Sequence, residues 1–333
     1  MSSFKRKIEE QKLFEEAKGK VRLGLCCINN SLRNPVKQIG QKRKPEPIFN
    51  SRTTTRKCFN VDYAKELALQ NIKDIIPILE WNQVHGIRHF RLTSNLFPHY
   101  TDTDTESYSM EFAKDLLKEA GDYANRLGHR ITTHPGQYTQ PASIHQNVRD
   151  KSIEDLVMHA DILDAMGIDD NGILCIHGGG TYGKDKETAI RRWCDHFDDL
   201  PRKVKNRLCI ENCEKSFSIE DCLEISEQCN IPVILDTHHY NCWCHYHPND
   251  RQTSLDDLMQ EIVESWGWRT PLFHISDQKE GAVVGAHHDY VQEIPTELIK
   301  PILEYDCEVH IEVEAKAKED AVLYLMNKYS TLF

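Results

Sequence analysis

Ile231-Pro232-Val233-Ile234-Leu235-Asp236-Thr237-His238-His239 is the stretch that decides the fold. Apolar residues run almost unbroken from Ile231 to Leu235 and stop at an acid and two imidazoles. A continuous apolar run of this length suits a strand covered on both faces, as in parallel sheets. The acid and imidazoles would then stand at its C-terminal end. Working outward, the same form recurs at Ile87–Leu92, Arg130–Thr133, Gly172–Ile176, Arg207–Ile210, Pro271–Ile275 and Glu308–Val313, with Val21–Cys26 as a first strand. Helical periodicity fills the intervals: Val61–His85, Ser109–Leu127, Gln146–Met166, Asp185–Phe197, Ile219–Cys229, Ser254–Ser265, Thr296–Leu303 and Lys316–Tyr329. About eight strand–helix units favour closure into a (β/α)8 TIM barrel over an open doubly wound sheet. No Gly-rich dinucleotide fingerprint follows the first strand, which also disfavours a Rossmann fold.

The chain of 333 residues is long for one core but ordinary for a single-domain α/β barrel. Residues 1–18 read as a charged tail or helix, and residues 19–333 as the barrel domain. No apolar run approaches the length of a membrane helix, and the polar N-terminus lacks a signal-peptide core, so an intracellular, non-membrane protein is expected. Twelve cysteines without a secretory signal read as reduced thiols. A net charge of −11 argues against coating nucleic acid with a basic surface, but not against a DNA enzyme whose acids are ligands. The loop from Ser31 to Arg56 is long, polar and basic, with Arg52 and Arg56 among its cations.

The strand C-termini of such a barrel converge on one face, where its chemistry sits. The third strand ends in His134, the fourth in His177, the fifth in Glu211, the sixth in Asp236 and His239. The seventh ends in His274, with His287 and His288 in the next loop. The eighth offers Glu312 and Glu314, which share a face, so spacing does not choose between them. One strand-end histidine is more often a hydrogen-bonded rim residue than a ligand. Six strands in a row ending in His, Asp or Glu point instead to a multi-metal site. Mixed imidazole and carboxylate donors suit Zn, Mn or Fe, and a carboxylate such as Glu211 can bridge the ion pair that clamps a phosphodiester. Asp236 and His239, three residues apart, can reach one ion, and His238 is expected to point away. Cys242, Cys244, His245 and His247 lack the Cys-x2-Cys spacing of a structural zinc site and read as bystanders.

His134-Pro135-Gly136-Gln137-Tyr138 makes the pattern specific. With Arg91-Leu92-Thr93-Ser94, Leu96-Phe97-Pro98, His177-Gly178-Gly179, Glu211-Asn212, Asp236-Thr237-His238-His239 and His274-Ile275-Ser276, the sequence resembles the UV-damage endonuclease family, relatives of endonuclease IV among the xylose-isomerase-like barrels. The resemblance implies a DNA-repair hydrolase that nicks one strand 5′ of UV photoproducts, using two or three divalent ions, commonly Mn2+, with Zn2+ or Mg2+ as alternatives. It implies ligands at His134, His177, Glu211, Asp236, His239, His274, His287 and Glu312, with Glu211, His134, Asp236 and His274 nearest the chemistry. Asp102 takes by spacing the place of a family histidine after the second strand, with His99 as the other candidate. Gln137 and Tyr138 correspond to the pair that probes the duplex, and Asn29 to an asparagine near the lesion. Arg52, Arg56 and Lys184 would hold backbone phosphates. Two departures stand out: Leu25 replaces a lesion-contacting tyrosine, and Leu272 occupies the place of a lysine modified in some members. A monomer acting on damaged double-stranded DNA is the expectation. An apurinic-site endonuclease, a sugar isomerase on the same barrel and a lesion-binding protein are the alternatives.

Overall fold

Parallel strands buried on both faces need helices outside and a filled interior, and that is the arrangement found in the computed structural model, which describes residues 3–37, 43–183, 185–250 and 253–333. The strands are β1 (Val21–Cys26), β2 (His89–Leu92), β3 (Arg130–Thr133), β4 (Leu174–His177), β5 (Leu208–Glu211), β6 (Val233–Asp236), β7 (Leu272–Ile275) and β8 (Val309–Val313). They pair in sequence order, all in parallel, and β8 returns to β1 to close the barrel. The main apolar core lies between the outward strand faces and the helices, and includes Leu25, Phe90, Ile131, Leu235, Phe273 and Ile311. Leu25 is therefore turned away from the mouth.

The helices differ from the sequence expectation where proline or capping intervenes. Val61–His85 is split into Val61–Lys73 and Ile75–Val84 at Asp74. Pro77 lacks the N–H that an unbroken helix would need there, and the break places it in a first turn, where that donor is surplus. Likewise Pro301 begins the short helix Lys300–Glu304, separated from the 3-10 turn Thr296–Leu298. An unexpected helix, Thr237–Tyr246, starts directly on the end of β6. At the N-terminus the helix Ser3–Glu16 sets Phe14 edge-on to Tyr329, with ring centroids 4.9 Å apart, and Ala17 is buried.

The barrel interior is unusually polar. Gly24, His89, Arg91, Arg130, Thr132, His310 and Glu312 occupy it, and a Cβ on Gly24 would lie 3.0 Å from the His89 ring. Only glycine leaves room there. Beneath this column, at the turn into β3, His129 is buried with Nε2 3.1 Å from Gln83 Oε1. Burial, aided by Arg88 and Arg22, lowers its pKa to about 4. The unfolded chain takes up this proton near pH 6.5 and the folded chain does not, so the stabilisation is present above about 6.5 and is lost as pH falls towards 4. Denaturant unfolding at pH 7 and pH 4.5 is expected to show a smaller acid loss in His129→Gln than in the parent, by on the order of 2 kcal/mol. Equal losses would assign the acid sensitivity to other groups.

Candidate metal centre

β5 delivers Glu211 to the mouth, 1% exposed. A carboxylate taken this far out of water needs compensating charge. Neighbouring strands supply it. His134, after β3, sets Nε2 3.0 Å from Glu211 Oε2, and His177, at the end of β4, sets Nε2 3.8 Å from the same oxygen. His274 on β7 places Nδ1 3.0 Å from Oε1, and His239 places Nδ1 3.3 Å from it. Burial would raise the Glu211 pKa, but the fields of His274 and His177 and the bonds from His134 and His239 hold it well below the usual range. Reciprocally, despite burial, Glu211 and Glu312 lift His274 well above 6.5, and Asp236 and Glu211 lift His239.

The local sequence explains how these groups are aimed. Asp236 is the last residue of β6 and also the N-cap of Thr237–Tyr246, its Oδ1 accepting from His238 N (2.7 Å) and His239 N (2.9 Å). Asn212 donates Nδ2–H to Asp236 O and accepts from Asp236 N, at 3.0 and 2.8 Å, tying the end of β6 to that of β5. His239 reaches Glu211 because it lies in the first turn of this helix, not because a strand continues. His238 points away from Glu211 and is buried beside Cys242, with Nε2 3.8 Å from Sγ.

The donor set fits divalent ions. Asp236 Oδ2 and His177 Nδ1 are buried without partners. His134 Nδ1 lies 2.9 Å from Pro135 O, so a neutral ring that donates there turns the lone pair of Nε2 towards Glu211 Oε2. Two lone pairs facing each other require a cation between them or a proton on the ring. Close sets of ligand atoms occur at His177–Glu211–His239, Glu211–Asp236–His274 and His134–Cys175–Glu211. The second also explains why Asp236 keeps one oxygen uncommitted.

Other expected site residues take different places. Glu312 lies deeper, bound to His89 Nε2 (2.9 Å), Thr132 Oγ1 (2.6 Å) and Arg91 Nη1 (3.0 Å). Glu314, one step nearer the mouth on the same face, lies 3.5 Å from His274 Nδ1 and 3.7 Å from His287 Nδ1, and takes a hydrogen bond from Arg91. Glu312 Oε2 lies 3.1 Å from His274 Nε2, so both carboxylates face that imidazole, and with Cys26 they form a further close set of ligand atoms. His99 and Asp102 are paired with each other (3.0 Å), and Asp102 also with Arg56 (2.8 Å). Burial opposes ionisation of Asp102, but His99, Asp104 N–H and Arg56 hold its pKa at about 2. Neither joins the close ligand sets among the described residues. Arg52 is spent on Asp74 Oδ2 (2.6 Å) and Phe49 O, pinning the loop to a helix end. Asn29 is buried as an N-cap, accepting from Leu32 N at 2.8 Å. Lys184 lies outside the described residues.

Gln137 and Tyr138 are exposed at the mouth, Tyr138 at 84%. The feet of their loop are anchored by Thr139 Oγ1 on Asp155 and by Gln140 N on Ser152 Oγ (2.7 Å). A cavity of about 730 Å3 beside Tyr138 is lined also by Arg56, His145 and Tyr182. Cys175, whose thiol lies 3.1 Å from Glu211 Oε2, and Arg91 were not anticipated. Strand parity signals both: Cys175 is two residues before His177, and Arg91 is a charge inside an otherwise buried strand.

The fields of Glu211, Glu312 and Asp236 favour a proton on His239 and His274, and a metal ion must compete with it. Titration of the metal-free chain with Mn2+ at pH 7, by calorimetry in buffers of different ionisation enthalpy, is expected to show net proton release. Glu211→Gln should release fewer and retain less metal. Unchanged proton release and metal content in that variant would exclude Glu211 as the hub.

The model of the family described as UV-endonuclease UvdE matches residues 21–332. A protein of Acanthamoeba polyphaga mimivirus that bears the UV-damage endonuclease name provisionally is 38% identical over 315 residues, covering 93% of this chain and 91% of its own. The UV-damage endonuclease of Schizosaccharomyces pombe is 36% identical over 325 residues, covering 92% of this chain. The chain spans only 50% of that longer relative. The crystal structure of SacUVDE superposes with a TM-score of 0.78 at 30% identity, covering 94% of this chain and 99% of that one.

Proposed function

Because the chain belongs to the UV-endonuclease UvdE family, we propose that it nicks one strand of duplex DNA on the 5′ side of UV photoproducts, cyclobutane dimers and 6-4 photoproducts among them. Members of this family are named UV-damage endonucleases, a hydrolase activity that implies a DNA substrate. The observation that carries the finer reading is the buried Glu211 with four imidazoles around it and Asp236 Oδ2 uncommitted beside them. That donor set suits two or three divalent ions, Mn2+ foremost, held by His134, His177, Glu211, Asp236, His239, His274 and Glu314, with His287 at the rim. When bound, such ions neutralise the phosphodiester and make a water acidic enough to attack it.

The protein's own groups do the rest. Glu211, held ionised by its neighbours, would offer its two carboxylate oxygens to the ions. Arg91 orients Glu314 from below. Tyr138, exposed and rigidly footed, offers a ring for the gap left by unstacked bases, and Gln137 an amide for base edges. Bases at a photoproduct stack poorly and cost less to open, so opening itself discriminates damaged from intact duplex. Arg56, with 60% of its side chain exposed, stands where it can meet backbone phosphate, at the cost of its pairing with Asp102 and Asp104. One mouth engages one duplex, so a monomer suffices.

A duplex with a single cyclobutane dimer, incubated with the chain and Mn2+, is expected to yield one nick 5′ of the lesion, absent after chelation and restored by added metal. Cleavage that survives chelation, or no nick with any divalent ion, would sink the proposal. Tyr138→Ala is expected to lower nicking of the dimer substrate by about 10–100-fold, from a stacking loss of ~1–3 kcal/mol, with metal content unchanged. Full activity in that variant would remove Tyr138 from lesion recognition.

A further inference from the structure

The loop that follows β7 carries a feature that the metal centre does not use. Between Ile275 and His287 the chain folds back on itself, with Gln278 and His287 paired across the loop as an antiparallel bridge. The tip is Ala282-Val283-Val284, three apolar residues set between Gly281 and Gly285, whose φ angles are positive at 69° and 94°. Val283 is 81% exposed, close to the value for Tyr138, and Ala282 is exposed beside it. A tip that served only to reverse the chain would favour polar residues, which water solvates better.

The tip is braced from within. Gln278 spends its whole amide on it, Nε2 donating to Lys279 O (3.0 Å) and Val283 O (2.9 Å) while Oε1 accepts from Gly285 N (2.8 Å). Lys279 N donates to Ala286 O at 2.7 Å, and Ala286 N to Val283 O at 3.0 Å. Gly285 rests on the loop after β5, where a Cβ would lie 3.3 Å from Glu214 Oε1. His287, on the returning leg, sets Nδ1 3.7 Å from Glu314 Oε2. Val283 is thus held in a fixed relation to the metal centre. In the closed order of eight strands β3 and β7 are four places apart, so the loops they feed face each other across the mouth. Tyr138 rises from one of these loops and Val283 from the other. A duplex presented to Glu211 has one of them on each side.

We propose that the tip Ala282-Val283-Val284 is a second contact with the substrate duplex, an apolar wedge that packs on base and sugar edges on the side of the metal centre opposite Tyr138. This rests on the reading of the chain as a nuclease for damaged DNA. Apolar side chains presented to a groove pack on sugars and enter base steps that are already weakened, and the steps beside a photoproduct are of that kind. Lys279 and Glu280 flank the tip with opposite charges, so it draws little from the phosphates. What it gains is apolar area removed from water. Gln278 is a positioning residue that acts through the tip.

Fluorescence anisotropy tests this, with the metal-loaded chain and a duplex that carries one cyclobutane dimer and a methylphosphonate 5′ of it to prevent cutting. Val283→Ser is expected to raise Kd by about 5–20-fold, with metal content and the slope of log Kd against log salt unchanged. Val283→Ile, which keeps the apolar surface, is expected to bind as the parent does. A 2-aminopurine beside the dimer is expected to brighten when the parent binds, and less with Val283→Ser. Parental affinity in Val283→Ser, or an equal loss in Val283→Ile, overturns the proposal. So does a changed salt slope, which would assign the tip to phosphate contacts. A parent chain that sediments as a dimer, with Val283→Ser a monomer, overturns it by assigning the tip to a second copy. If the parent nicks an unmodified dimer duplex and Val283→Ser binds as the parent does, the wedge falls and the nuclease reading stands. A parent that neither binds nor nicks removes both.

Discussion

A single buried carboxylate governs the mouth of this barrel. Glu211 sits at 1% exposure, where an uncompensated charge would cost several kcal/mol. No segment of the chain could meet that need alone. His134, His177, His239 and His274 come from four strand ends that lie far apart in sequence. Only a closed parallel barrel sends all strand C-termini to one place, so the fold is what makes an ionised Glu211 tolerable. The same crowding of lone pairs and carboxylate oxygens is what a divalent cation relieves best.

Beneath the mouth a polar column shares the barrel interior with an apolar cluster of Ile173, Cys175, Cys209, Ile234, Trp266 and Leu272. Arg91 lies between Glu312 and Glu314, and Glu312 is held in turn by His89 and Thr132. Such a network is sound only when every member is satisfied, since removal of one partner strands a buried charge.

Much of this was legible in the residues. Apolar runs alternating with helical periods identified eight strands, six of them ending in His, Asp or Glu, and the ring of imidazoles about Glu211 comes from residues that this pattern singles out. The errors have local causes. Spacing alone does not reveal that Asp236 ends a strand and caps a helix at once, so strand geometry stands in for the helix turn that carries His239 to Glu211. Pro77 and Pro301 were in plain view, yet the periodicity of the flanking residues outweighed them. Basic side chains were counted as phosphate ligands before their partners were known, and Arg52 proved to be committed to Asp74. The choice between Glu312 and Glu314 depended on which layer of the interior Arg91 and His89 would occupy.

The sequence by itself determined the barrel, the end of it that carries the chemistry and most of the groups gathered there. These are set by hydrophobic period and strand parity, which act over a few residues and leave a readable trace. Only the tertiary structure decided which oxygen of Asp236 takes no hydrogen bond, that Cys175 touches Glu211, and that Glu312 and Glu314 both meet His274 while Arg91 bridges them. Those outcomes turn on partners 36 to 223 residues away, as in Cys175 to Glu211 and Arg91 to Glu314. A side chain's commitment is settled by the nearest group of opposite charge in space, and the chain records no local sign of it.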